Sequence, residues 1–256
     1  MLRHLLAQRQ CYHSNLMYSG TGIYSVPEAS KLIGVPTREI RRWLFGYNYL
    51  KTPGDEASRV HTKPLWEHEL AGQDFEEDVI GFRDLIELRF IREFTRHGVA
   101  LSVIRRCLAT ASDLLGVSHP MSLPRFKTDG RTIYAEAASE EAQENSLVDL
   151  KSRQSVFKEI IKPSLYDGII YDADKTQANR WYPMGLKSPI VIDPALQFGA
   201  PIVEVTGTPT STIFASYLAE GGDAKAIGIT ARIFEVPLKA VQTAIRFEED
   251  LKRVAH

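Results

Sequence analysis

Apolar positions along the chain recur first at helical spacing. Val26, Ala29, Leu32 and Ile33 repeat with the period of an amphipathic helix. Ser25 stands before them as an N-cap, Pro27 lies just inside, and Glu28 follows three residues on, so a helix starts there. Gly34 supplies the left-handed residue that stops it. Thr37 caps a second predicted helix, Arg38–Phe45, which turns Ile40, Trp43 and Leu44 inward. Two short helices joined by a glycine turn predict a helix-turn-helix. The stretch Gly46–Leu65 carries Tyr47, Tyr49, Lys51, Pro53-Gly54, Arg59, His61 and Lys63, and predicts a basic, aromatic hairpin or wing.

Two longer helices are expected next. Phe82, Leu85, Ile86, Leu88, Phe90, Ile91 and Phe94 form one apolar segment ending at His97-Gly98, where His97 reads as a helix C-terminal cation. Leu101, Ile104, Leu108, Ala111 and Leu115 form the other, with Cys107 at core spacing. Pro120 and Pro124 then end the helical region. Asp129-Gly130, flanked by Arg125–Lys127 and Thr132–Glu136, predicts a hairpin. Val148–Leu150 is a further strand candidate, Gln154–Leu165 a helix broken at Lys162-Pro163. Gly168–Tyr171, Arg180–Tyr182 and Ile190–Ile192 are short strands. Asp167, Asp172 and Asp174 read as polar turns, because no calcium-loop pattern surrounds them.

At the far end a helix capped by Thr208 or Thr210 turns Ile213, Phe214, Tyr217 and Leu218 inward. Asp223 caps another, with Ala226, Ile227, Thr230 and Phe234. Leu238–Val254 is a third, with Val241, Ala244, Ile245 and Leu251 inward. The expected fold class is mainly α with a small α+β middle section. Four regions follow: a flexible leader at 1–20, a winged helix-turn-helix at 21–118, an α+β connector at 119–192, and a helical domain at 193–256.

Composition narrows the function. The 256 residues are 44% hydrophobic and 25% charged, the balance of a globular protein. No apolar run approaches the ~18 residues of a membrane span. Met1–Gly20 is too short and polar for a secretory signal, and reads as a frayed leader or as sequence ahead of a start at Met17. Two unpaired cysteines, Cys11 and Cys107, fit a reducing cytoplasm and give no zinc or disulfide pattern. Net charge is −1, which disfavours indiscriminate coating of nucleic acid. Locally there is contrast. Seven bases between Lys31 and Lys63 (Lys31, Arg38, Arg41, Arg42, Lys51, Arg59, Lys63) face three acids, whereas Glu67–Asp78 holds six acids and no base.

The second helix carries the chemistry. With Ile40, Trp43 and Leu44 inside, Thr37, Arg38, Arg41 and Arg42 face outward. Arginine there can grip guanine O6 and N7 bidentately, while a helix start holds phosphate. The candidate DNA-binding residues are therefore Thr37, Arg38, Arg41, Arg42, Tyr47, Lys51, Arg59, His61 and Lys63. No phosphate loop, GxSxG or HExxH motif occurs, so neither an enzyme nor a metal or cofactor is expected.

The run from Tyr24-Ser25-Val26-Pro27-Glu28-Ala29-Ser30 to Arg41-Arg42-Trp43-Leu44, with Leu85-Ile86-Glu87-Leu88-Arg89-Phe90 later, resembles the winged helix-turn-helix of MerR-like regulators. Arg42-Trp43 replaces the family's usual Arg-Tyr-Tyr triplet and the long dimerisation helix is missing, so metal or drug sensing is not carried over. Phe198-Gly199-x-Pro201-Ile202, Gly207-x-Pro209-Thr210, Ile227, Phe234-x-Val236, Val241 and Ala244-Ile245-x-Phe247-Glu248 resemble the helical domain of VapB-type bacterial antitoxins. The combined resemblance implies a cytoplasmic antitoxin that occludes a PIN-like ribonuclease toxin and represses its own operon. A homodimer on an inverted-repeat DNA operator, with half-sites ~34 Å apart or a multiple, follows from that. The alternative is a stand-alone MerR-like regulator with no toxin partner.

Overall fold

The computed structural model describes residues 20–51, 58–145, 157–174 and 177–254. The expected leader at 1–20, the strand at Val148–Leu150 and the start of the helix at Gln154 fall largely outside them. The chain is mainly helical, with small sheets. Its described residues divide into two compact units, one within 25–167 and 171–178, the other within 20–24, 168–170 and 179–254.

In the first unit, helix α1 (Val26–Ile33) starts where the residue pattern indicates. Ser25 N–H donates to Glu28 Oε2 at 2.8 Å and Glu28 N–H to Ser25 Oγ at 3.4 Å, a reciprocal cap. Gly34 ends it at φ 64°, a left-handed conformation that costs an L side chain about 1 kcal/mol or more. Helix α2 (Thr37–Leu44) follows within one turn. Its cap is Pro36 and no side chain bonds there, so Thr37 is the first helical residue rather than the cap. Ile40, Trp43 and Leu44 are buried, at about 1.5–3 kcal/mol each for large apolar side chains. An antiparallel pair comes next, β1 (Tyr47–Lys51) with β2 (Ser58–Thr62), in register Tyr47↔Thr62 and Lys51↔Ser58.

Helices α3 (Phe82–Arg96) and α4 (Leu101–Leu115) complete the helical core. Phe82, Leu85, Ile86, Leu88, Phe90, Ile91 and Phe94 bury α3 nearly all round, and Asp84 and Glu87 are fully buried with them. Charges in such a place need partners. Asp84 Oδ1 accepts from Trp66 Nε1 at 2.8 Å and bonds His119 Nε2 at 2.8 Å; Oδ2 accepts from Glu69 N–H and Gly81 N–H, each at 2.9 Å. Glu87 accepts from the Met121 and Ser122 amides at 2.8 and 2.9 Å. Cys107 is buried, and burial first, then the Glu87 charge, pushes its thiol up to about 12. His97 caps α3, its Nδ1 2.8 Å from Glu93 O.

The hairpin expected around Asp129-Gly130 does not form. Residues Phe126–Asn145 are one helix, α5. Phe126, Gly130, Ile133, Tyr134, Ala137 and Ala138 share an inward stripe at helical spacing, and that burial overrides the turn preference of Asp-Gly. Gly130 is there for space: a Cβ would lie 2.7 Å from the Phe126 ring. Arg125 and Asp129 pair one turn apart at 3.0 Å. A further helical turn at 157–160 and helix α6 (Pro163–Tyr166) are separated at the expected Lys162-Pro163 break.

The second unit holds most of a five-stranded sheet, ordered as in the chain: β3 (Ile169–Tyr171), β4 (Ala178–Trp181), β5 (Ile190–Ile192), β6 (Pro201–Val203) and β7 (Thr208–Pro209). Ile190 pairs with Val203 and Ile192 with Pro201, antiparallel. Helices α7 (Thr210–Ala219), α8 (Ala224–Ile233) and α9 (Leu238–Val254) pack together through Ile213, Ala226, Val241 and Ala244. Asp223 caps α8 through the Lys225 and Ala226 amides. Leu218, expected inward, is 51% exposed: Tyr217 donates its hydroxyl to Gly222 O, and that end of α7 opens to solvent.

Candidate nucleic-acid interface

Burying Ile40, Trp43 and Leu44 leaves the opposite face of α2 to solvent, and Thr37, Arg38, Arg41 and Arg42 are all exposed on it. Arg38 has no ion-pair partner among the described residues. Arg41 differs, because its Nη1 lies 2.6 Å from Asp78 Oδ2. That carboxylate is held in place through its own backbone, which accepts from Val26 N–H at 3.3 Å. The last residue of the acidic stretch therefore lies against the start of α1 and reaches α2.

Arg42 takes a different partner. Its Nη2 donates to Tyr47 OH at 2.9 Å, and its guanidinium sits 4.4 Å from the ring centroid. Hydrogen bonding from Arg42, and then from the Thr62 side chain, lowers the Tyr47 hydroxyl below its ordinary value. Tyr47 and Tyr49 have ring centroids 6.0 Å apart. His61 Nδ1 bonds Asn48 Oδ1 across the strand pair at 2.9 Å. Lys63 is exposed, and its carbonyl accepts from Arg105 Nη2 at 2.7 Å. The side chains of Lys51 and Arg59 lie outside the described residues.

One continuous surface of the first unit thus brings together Arg41, Arg42 and Tyr47. An arginine-to-carboxylate bond with 54% and 39% exposed side chains contributes about 0–1 kcal/mol. A phosphate oxygen offers guanidinium the same geometry with more charge. The face can exchange its internal partner for an external anion at small cost.

A cavity of about 190 Å³ opens elsewhere in the same unit, lined by Arg83, Ser118, His119, Ser122, Gln177 and neighbours. Ser118 Oγ is 2.9 Å from His119 Nδ1. Burial pushes His119 down, but the Asp84 hydrogen bond, with the Asp84, Glu87 and Glu69 charges, raises it overall. Sequence reasoning missed this cluster and Asp78. The available signal was charge inside a segment apolar on every side, which has no solvent face to offer Asp84 or Glu87. Among the described residues no group of three His, Cys, Asp or Glu is placed to hold a metal ion. No helix among them is long and apolar enough to cross a membrane.

No family model and no curated protein matches the chain. Among solved structures, the X-ray crystal structure of Rv2018 from Mycobacterium tuberculosis is similar, with a TM-score of 0.60 at 20% identity. The match covers 87% of this chain and 96% of that one. The two chains share a fold over most of their lengths.

Proposed function

We propose that this chain is a DNA-binding autorepressor and antitoxin of a toxin–antitoxin operon. On this reading it works in the cytoplasm as a homodimer and neutralises a PIN-like toxin. One observation carries the DNA half: a short helix anchored by Trp43 turns Thr37, Arg38, Arg41 and Arg42 to solvent, with an aromatic antiparallel strand pair beside it. That arrangement supports reading the helix as a recognition helix and the strand pair as a wing. The toxin half rests on the resemblance of the C-terminal residues to VapB-type antitoxins. Exposed Leu218, Ile233 and Leu238 on the helices of the second unit suit a protein partner. A stand-alone regulator is the second reading, and the 190 Å³ cavity beside Ser118 and His119 favours it, as a place for a small effector.

Two experiments test the proposal. Gel-shift titration with the duplex upstream of its own reading frame addresses the repressor, and pull-down of the neighbouring gene product addresses the antitoxin. Within the first, Asp78→Asn is informative. Releasing Arg41 from a surface pair worth about 0.5–1 kcal/mol should tighten DNA binding about 2–5-fold. Weaker binding by the variant would mean that Asp78 aims Arg41 at DNA instead of occupying it.

A further inference from the structure

The second unit carries another exposed cationic helix pair. Between Ala224 and Phe247 the chain has four bases, Lys225, Arg232, Lys239 and Arg246, and one acid, Glu235. All four bases are exposed, and none makes an ion pair or hydrogen bond through its side chain among the described residues. On α2, by contrast, Arg41 and Arg42 both have internal partners. The first helix pair shares two of its cations with its own protein; among the described residues this one shares none.

Placement adds a second argument. Lys225 and Lys239 are each the second residue of their helix; the Asp223 cap supplies a carboxylate at the α8 start, whereas α9 has no acid in its first turn. A helix start is the positive end of the dipole, so a base there without a carboxylate, as at Lys239, is disfavoured by about 0.3–1 kcal/mol. On α9, Ala240, Val241, Ala244 and Ile245 are buried, which leaves Lys239, Gln242 and Arg246 along one outer face. Their acidic successors begin only at Glu248, whose carboxylate is taken by the Thr210 hydroxyl. The connection to α8 is tight enough to hold Glu235 at φ 53°.

We infer that the α8–α9 pair is a second duplex-DNA-contacting surface. In it Arg232 holds phosphate, and Lys239, Gln242 and Arg246 face a groove. Gln and Arg on one helix face are the side chains that read adenine and guanine edges. This rests on the proposed DNA-binding role but assigns part of it to a different unit. The occupant is a polyanion because four unpaired cations offer no complement to a neutral surface.

The test uses the full chain and a fluorescein-labelled duplex of about 40 bp from upstream of its own reading frame. Affinity is read by anisotropy across a salt series. Arg232→Ala/Lys239→Ala/Arg246→Ala should weaken binding about 10–100-fold at physiological salt and flatten the log–log salt slope by about 2–3. The charge-retaining Arg232→Lys/Lys239→Arg/Arg246→Lys variant should keep the wild-type slope; a loss there too would mean damage to the fold and overturn the inference. Arg38→Ala/Arg42→Ala is run alongside. If only that double variant loses binding, the second surface falls and the first stands. If only the triple variant does, the inference stands and the α2 reading falls. No binding by the wild type removes both.

Discussion

Asp84→Ala is expected to destabilise the protein by about 3–5 kcal/mol, the scale of removing one partner from a buried ionic network. The carboxylate is fully buried and serves Trp66 Nε1, the Glu69 and Gly81 amides and His119 at once. Alanine leaves four polar groups without an acceptor, one of them the His119 imidazole. Asn keeps the shape but presents an amide NH2 where acceptors are needed, so Asp84→Asn should recover only part of the loss. Urea unfolding followed by tryptophan fluorescence measures both variants. A cost under about 1 kcal/mol would mean that the network follows the apolar core rather than holding it.

The same groups set the pH response. Burial alone would raise Asp84, but hydrogen bonds and charge from His119, with Trp66 and the Gly81 amide, hold its carboxyl below the usual range. Its stabilisation is present above the ordinary carboxylate value and lost as pH falls through the depressed one. His119 is raised, so its share is complete below the ordinary imidazole value and lost as pH rises through the folded one. Glu87 runs the other way: burial raises it above ordinary carboxylates despite the Met121 and Ser122 amides, so ionising it costs stability. Stability should therefore peak between the two limbs, and Asp84→Ala should flatten both.

Removing the α2 arginines together, as Arg38→Ala/Arg41→Ala/Arg42→Ala, is expected to weaken operator binding at least 100-fold. A base-reading arginine contributes about 1–3 kcal/mol, and phosphate contacts add on top. Arg41 should contribute least of the three, because its ion pair with Asp78 is given up on binding. Arg41→Ala should also relax discrimination at one base pair, whereas Lys63→Ala should weaken all sequences alike and reduce the salt slope by about 1. Gel shifts with the specific and a scrambled duplex separate these effects. Wild-type affinity in the triple variant would end the assignment of α2 to DNA.

Local rules carried far along this chain. The cap at Ser25, the stop at Gly34 and the inward trio of α2 are each decided by residues three or four apart, and the structure has them all. Leu238–Val254 came out with its boundaries unchanged. No hairpin forms at Asp129-Gly130 because a six-residue inward stripe runs through that two-residue turn signal. The arginine surface was legible as a face but not in its partners. Asp78 is 37 residues from Arg41, and no spacing rule connects them. The buried acids were illegible for the same reason, since Glu87 finds its amides 34 and 35 residues away.

Those two amides belong to a loop, a place where backbone N–H groups normally exchange with water and proteases cut first. Here a core helix side chain fills the role a neighbouring strand would play. The Met121–Ser122 segment cannot lift off without stranding a carboxylate in hydrocarbon. Its opening is therefore tied to global unfolding instead of local breathing, and the link between α4 and α5 behaves as part of the core's cooperative unit.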